Sequence, residues 1–347
     1  MLDRRKESKK SWNRFRYFIF GTRVDYGRVI FGDVLNYDNV HYYSSYDTVL
    51  DRIKSDRIKK LYDVSRLSYF NNRIIKLKNL WFHLLFEHEY IDSNKGAYNV
   101  FIFCDTNVHA YNLEFIEYIK KKIKNSVLVM LFINPFSNRS EIAKKYDYEY
   151  YQENFDFVFS SDIFDVEQYH MYKILTGPYS KLSPVPISKT KSDVLFVGAD
   201  KGRGEEIVKI YERLTAKGVL CDFTLVGSKD PSKLPKEINT KTIPYDTVIK
   251  KVNSTKVILE MVADHSRMPS LRMDEAIVYN KHLVTNNNTV VNNPYYNKDY
   301  IHIFDTLSDI IDIDISALPE PDFNYNNDFS PTFFLKRIEE MIDRKAK

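Results

Sequence analysis

The chain has 347 residues, 44% of them hydrophobic, too many for one compact core and suited to two domains. It lacks an 18-residue apolar run and an early apolar stretch with a small-residue cleavage site, so neither a spanning helix nor a secretory leader is expected. Net charge is +4 but unevenly spread: residues 1–28 and 51–78 each carry nine Lys/Arg against three acids, leaving the rest at −8. Aromatics and isoleucines interrupt both basic blocks, which suits an anionic membrane surface; a plainly solvated helix face is the alternative. No recognition motif accompanies the charge, so nucleic acid is not an expected partner.

The first expected element is a strand, "FRYFIFG", at residues 15–21. Residues 99–133 then read as strand "NVFIFCD", amphipathic helix "NLEFIEYIKKKIKN" and strand "SVLVMLFIN". Strands apolar throughout predict a parallel sheet covered on both faces. Strand "FDFVFSS", at residues 155–161, and a helix beginning near Asp165 continue the pattern. Residues 176–193, "TGPYSKLSPVPISKTKSD", hold three prolines and four serines without apolar periodicity and read as an interdomain linker.

The alternation restarts with "DVLFVGADKGRGEEIVKIYERLTAKG", a strand, glycine loop and helix. Strand "CDFTLVG", helix "PYDTVIKKVNST", strand "KVILEMV", helix "LRMDEAIVYN", strand "HLVTN" and a short strand "IHIF" follow. Ser330 before Pro331 marks the start of a terminal helix. The expected division is an N-terminal domain at 1–185, a C-terminal domain at 186–325, and a helix in 326–347 packing back on the first domain. Ligands of open parallel sheets bind at the carboxyl ends of the strands, so the expected site is the cleft between the two domains.

Cys104 and Cys221 lie far apart and form no metal or disulfide framework, which fits a cytoplasmic protein. His83 and His88, five residues apart, do not make a zinc helix. In "GADKGRGEE", Gly198, Gly202 and Gly204 would let a ligand approach the backbone, with Lys201 and Arg203 supplying charge and the helix N-terminus favouring phosphate. A tight turn with solvent-facing charges is the alternative reading. In "MPSLRMDEAIVYN", Pro269 and Ser270 start a helix whose first turns hold Arg272, Asp274 and Glu275. The helix dipole accounts for acids there, whereas Arg272 calls for a ligand or partner. With Met273, Ala276 and Ile277 on the buried side, Glu275 is expected at the border of core and cleft, where it can accept two ribose hydroxyls. "DID" at 312–314 copies a metal motif in letters only and is read as surface. For a general base, Asp105 and His109 follow the second strand and Asp25 follows the first. Capping or turn formation is the competing explanation for each.

The run "SLRMDEAIVYNKHLVTNN", preceded by "PYDTVIKKVNSTKVILEMV", resembles the C-terminal domain of bacterial GT-B glycosyltransferases of capsule, exopolysaccharide and lipopolysaccharide gene clusters. Pro244, Tyr245, Leu271, Arg272, Glu275, Ala276, Lys281, Thr285 and Asn286 carry the match, and Asp162 and Asp165 resemble a D-x-x-D feature of the first domain. The likeness covers about 99–305, with specific motifs only from 194. It implies two Rossmann-like domains around a cleft. It also implies a nucleotide-diphosphate sugar as donor, with no metal or other cofactor. Glu275 would hold the ribose, Tyr245 would border the base, and Lys201 to Gly204, Ser270, Leu271 and Arg272 would face the diphosphate. The implied acceptor is a surface glycan, lipid-linked at the inner leaflet, which makes the protein peripheral on the cytoplasmic face. One departure is Arg267, which stands where many retaining members carry a second glutamate, so no stereochemical outcome follows. Other enzymes on the same frame, such as a polyol-phosphate transferase or a sugar epimerase, and a non-catalytic nucleotide-sugar-binding partner, remain alternatives.

Overall fold

The computed structural model describes residues 14–22, 24–43, 55–60, 96–107, 113–138, 146–182, 191–262 and 268–346. Six strands form the first sheet: β1 (Phe15–Phe20), β2 (Val40–Tyr43), β3 (Tyr98–Cys104), β4 (Ser126–Phe132), β5 (Phe157–Ser160) and β6 (Tyr172–Lys173). Their order is β2-β1-β3-β4-β5-β6, and each pairing is parallel. Helices α1 (Val24–Phe31), α2 (Leu113–Lys122), α3 (Tyr148–Asn154) and α4 (Ile163–Tyr169) connect them.

Alternation along β1 and β3 sends aromatic residues to one face of this sheet. Phe18 lies opposite Phe101 and Phe20 opposite Phe103, each pair stacked with ring centroids 4.8 Å apart. Phe115 and Ile116 of α2 cover that face. Tyr17, Ile19, Val100 and Ile102 point the other way and meet a helix from the far end of the chain, α9 (Pro331–Lys345). Phe334, Leu335, Ile338 and Ile342 of α9 enter the same core, Phe334 packs edge-on against Phe159 at 5.2 Å, and the Tyr17 hydroxyl donates to Glu339 at 2.6 Å. Such a cross-chain contact is fixed by burial, each enclosed large apolar side chain contributing about 1.5–3 kcal/mol.

The second sheet contains β7 (Ser192–Ala199), β8 (Cys221–Val226), β9 (Thr255–Glu260), β10 (His282–Thr285) and β11 (Ile301–Ile303), ordered β11-β10-β9-β7-β8 and again parallel. Helices α5 (Gly204–Ala216), α6 (Tyr245–Asn253), α7 (Leu271–Val278) and α8 (Leu307–Ile311) cover its faces.

The segment read as a linker is partly packed structure. Tyr179 and Ser180 are fully buried. The Tyr179 N–H donates to Phe329 O at 2.7 Å, the Ser180 N–H to Val29 O at 2.6 Å, and the Asp33 N–H to Ser180 Oγ at 3.1 Å. Proline and serine content signalled loose chain, but the backbone groups of Tyr179 and Ser180 find partners in the first domain and in the approach to α9. Residues 183–190 lie outside the described residues, as do half of the first basic block and most of the second.

Candidate active site

The site is built where the second sheet ends. Ser270 caps α7 by accepting the Arg272 N–H at 3.0 Å, and Met273, Ala276, Ile277 and Val278 bury the inner side of the helix. The acids between them are buried as well. Glu275 is 1% exposed, and its Oε1 accepts the Tyr245 hydroxyl at 2.5 Å. The Tyr245 oxygen lies 3.4 Å from that of Tyr179, on the joining segment. Glu275 is therefore enclosed rather than at a core–cleft border, with the hydroxyl of Tyr245, the first residue of α6, bound to it. Burial raises its pKa, opposed by the Arg272 guanidinium and the Tyr245 hydroxyl. Asp274 is also buried, and its carboxyl is pushed well up by burial and by the charges of Glu275 and Glu260.

Two guanidinium groups converge on the end of β7. Arg272 Nη2 donates to Val197 O, while Arg203 Nη2 donates to Ala199 O at 2.8 Å and Arg203 Nε to Asp200 O at 3.2 Å. Burial and the like charge of Arg272 lower the Arg203 pKa, with Asp200 and Glu260 opposing. Paired cations that strain against each other at strand ends, beside a helix N-terminus, favour an anionic ligand.

The glycine loop departs from its expected role. Asp200 Oδ1 accepts the N–H groups of Gly202 and Gly204, each at 2.9 Å. The amide of the loop at Gly202 and the first amide of α5 at Gly204 are thus occupied by a carboxylate of the loop itself. Gly202 supplies the left-handed turn at φ +88°, next to Lys201 at φ +45°, and a Cβ on Gly204 would lie 2.6 Å from Asp200 Oδ2. Gly198 is small for the sake of the core, since its Cβ would meet the Phe196 ring at 2.9 Å. What the loop delivers toward the strand ends is Arg203.

A cleft of about 380 Å³ separates the domains beside the first turn of α7. Ser161, Glu167 and Lys173 line it from the first domain, and Met273, Thr289 and Asn293 from the second. Three acids of the first domain are held in local hydrogen bonds. Asp105 is 4% exposed; its Oδ1 accepts the Ile133 N–H at 3.1 Å and its Oδ2 the Asn134 Nδ2 at 2.9 Å, tying the ends of β3 and β4 together. Asp162 caps α4 through the N–H groups of Phe164 and Asp165, and Asp165 accepts the Phe136 N–H and the Ser160 hydroxyl, both at 2.9 Å. The Asp25 backbone lies in the first turn of α1 and its side chain is outside the description; His109 and Arg267 lie outside the described residues. Asp312 and Asp314 are exposed, and Asp314 serves the local turn at Ser316.

Sequence reasoning missed Glu260, the last residue of β9. It is 2% exposed and accepts hydroxyl hydrogen bonds from Ser270 at Oε1 and Thr285 at Oε2. The available signal was a carboxylate ending an apolar run, in "KVILEMV".

No family model and no curated protein matches the chain. Among solved structures, it is similar to Anabaena HepE in complex with UDP, with a TM-score of 0.55 and 10% identity over 95% of this chain and 100% of that one. HepE with UDP and glucose gives a TM-score of 0.54 at 9% identity with the same coverage. The architecture is GT-B. Staphylococcus aureus TarM, solved with UDP, α-GlcNAc-glycerol and fondaparinux, is a more remote match, with a TM-score of 0.42 and 13% identity. The chain spans about half the length of TarM, covering 50% of it. Of the residues at the start of α7, Pro269 and Met273 line the cleft between the two domains. Among the described residues no group of three or more His, Cys, Asp or Glu is arranged to hold a metal, and no helix is long and apolar enough to cross a membrane.

Proposed function

We propose that the chain is a glycosyltransferase that moves a sugar from a nucleotide-diphosphate sugar to a lipid-linked surface-glycan acceptor at the inner leaflet of the membrane. The observation that carries this reading is the convergence of Arg203 and Arg272 on the end of β7, beside the N-terminus of α7 and next to the cleft of a GT-B fold. Glycosyl transfer leaves negative charge on the diphosphate as its bond to the sugar breaks, and preorganised cations at that position lower the barrier. In this reading the two guanidinium groups supply that stabilisation without a metal. Glu275 takes the ribose: a ribose hydroxyl replaces the Tyr245 hydroxyl on Oε1, and the Tyr245 ring lies against the base. UDP is the first nucleotide to try, since HepE was solved with it.

The acceptor would enter from the first domain's side. Exposed Phe164, Tyr172 and Val291 adjoin cleft-lining Ile163, Lys173 and Val290, an apolar rim with a cation that suits an amphipathic acceptor. Assembly of such acceptors at the inner leaflet agrees with the basic, aromatic-bearing blocks at 1–28 and 51–78. The test is UDP release from UDP-sugars, with and without a lipid-linked glycan fraction, by wild type and Arg272→Gln. The reading expects release that the acceptor accelerates and the variant abolishes. Equal release by both proteins would remove the arginine from the mechanism, and the reading with it.

A further inference from the structure

We propose that Glu260 is a positioning residue for the donor diphosphate, holding Ser270, Arg272 and Arg203 as a rigid phosphate-facing surface from beneath the strand ends. This rests on the nucleotide-diphosphate reading above.

Glu260 cannot be explained as part of the sheet's apolar core. It is enclosed, and each of its oxygens accepts a hydroxyl, Ser270 at Oε1 and Thr285 at Oε2. Neither hydroxyl is free to turn away. Ser270 Oγ simultaneously accepts the Arg272 N–H at 3.0 Å, and Thr285 Oγ1 accepts the Asn287 N–H at 2.9 Å. The carboxylate thus fixes the cap of α7, and with it the backbone from which Arg272 extends. Its charge acts on the guanidinium groups as well. Arg272 and Arg203 both favour the ionised form of Glu260 against burial, and Glu260 in turn supports the charge of Arg203 that Arg272 disfavours. With Asp200 also supporting Arg203, the charge of Glu260 favours holding both cations at the end of β7, where Val197 O and Ala199 O receive them. A diphosphate then meets two guanidinium groups already in place, and the ordering cost falls before binding rather than during it.

The experiment is isothermal titration of UDP, and of uridine by competition, against wild type, Glu260→Gln and Thr285→Val at fixed ionic strength. Gln keeps the shape and the acceptor oxygen but loses the charge, and UDP binding should weaken about tenfold, the worth of one charge-assisted hydrogen bond. Thr285 is fully buried and out of a ligand's reach, so its variant acts only through its partners, Glu260 and the Asn287 N–H, and should weaken UDP binding about threefold, a partial version of the same loss. Uridine, which has no phosphate, should bind all three proteins alike. In an Arg272→Gln background, Glu260→Gln should cause little further loss, because the residue acts through the arginine. Unchanged UDP binding in both variants, or equal loss for UDP and uridine, would overturn the assignment while leaving the donor reading intact. If Glu260→Gln does not fold, Thr285→Val decides. A wild type that binds no UDP would end the donor reading itself.

Discussion

Replacing Asp105 by Asn should change the pH dependence of stability by a calculable amount. The Asp105 carboxyl is buried at the end of β3, and burial raises its pKa from 3.8 to about 6 despite hydrogen bonds from Asn134 and Ile133. The folded state therefore holds this proton more tightly than the unfolded chain does. Stability from the group is greatest below pH 3.8, declines as pH rises to about 6, and is level above that. Moving a carboxyl over that interval corresponds to about 3 kcal/mol, at about 1.36 kcal/mol per pKa unit. Asn keeps an acceptor for the Ile133 N–H, and a rotated Asn134 amide can present its oxygen to the new side-chain NH₂. The variant loses the proton linkage while the other titrating groups cancel in the comparison. Measured by urea unfolding followed by far-UV circular dichroism at pH 4, 5, 6 and 7, the stability of Asp105→Asn relative to wild type should rise by about 2 kcal/mol between pH 4 and pH 7, the remainder of the change lying below pH 4. A difference that stays constant across that range, or one that falls, would refute the claim that this acid is an enclosed clamp between strands.

The same unfolding experiment addresses α9. Phe334→Ala should cost about 3–5 kcal/mol, and the loss should appear in the first domain's transition although the residue lies at the opposite end of the chain; an unmoved transition would contradict the packing. Tyr245→Phe leaves Glu275 Oε1 without its hydroxyl donor, so the ligand-free protein should lose about 1–3 kcal/mol. That loss should shrink at saturating UDP, when a ribose hydroxyl takes the same oxygen, and a loss of constant size would show that Glu275 never meets the nucleotide.

Much of the fold was legible because its strands are short, wholly apolar and separated by helices of clear period. β3, β4 and β9 stand out in the sequence for that reason. β2, "VHYY", did not: it is four residues long, lies at the sheet edge, and mixes polar and aromatic side chains. Helical spacing placed Glu275 at the right angle around α7 but could not show its partner, since Tyr245 comes from 30 residues earlier. The glycine loop was visible as a phosphate candidate, yet spacing cannot reveal that Asp200 fills its amides. Glu260 escaped because one acid at the end of an apolar run looks like the point where a strand meets solvent. Its hydroxyl partners lie 10 and 25 residues downstream. In each case the missing information is a tertiary contact that the local pattern does not encode.

The central claim is that Arg272 and Glu275 belong to a nucleotide-diphosphate cradle. A thermal-shift screen of UDP, GDP, dTDP, CDP and CMP against wild type, Arg272→Gln and Glu275→Gln tests it most directly. The account predicts that one diphosphate raises the melting temperature of wild type and that both variants lose the shift while remaining folded. If none of the five nucleotides shifts the wild type, or if both variants respond as it does, the cradle is not where this account puts it.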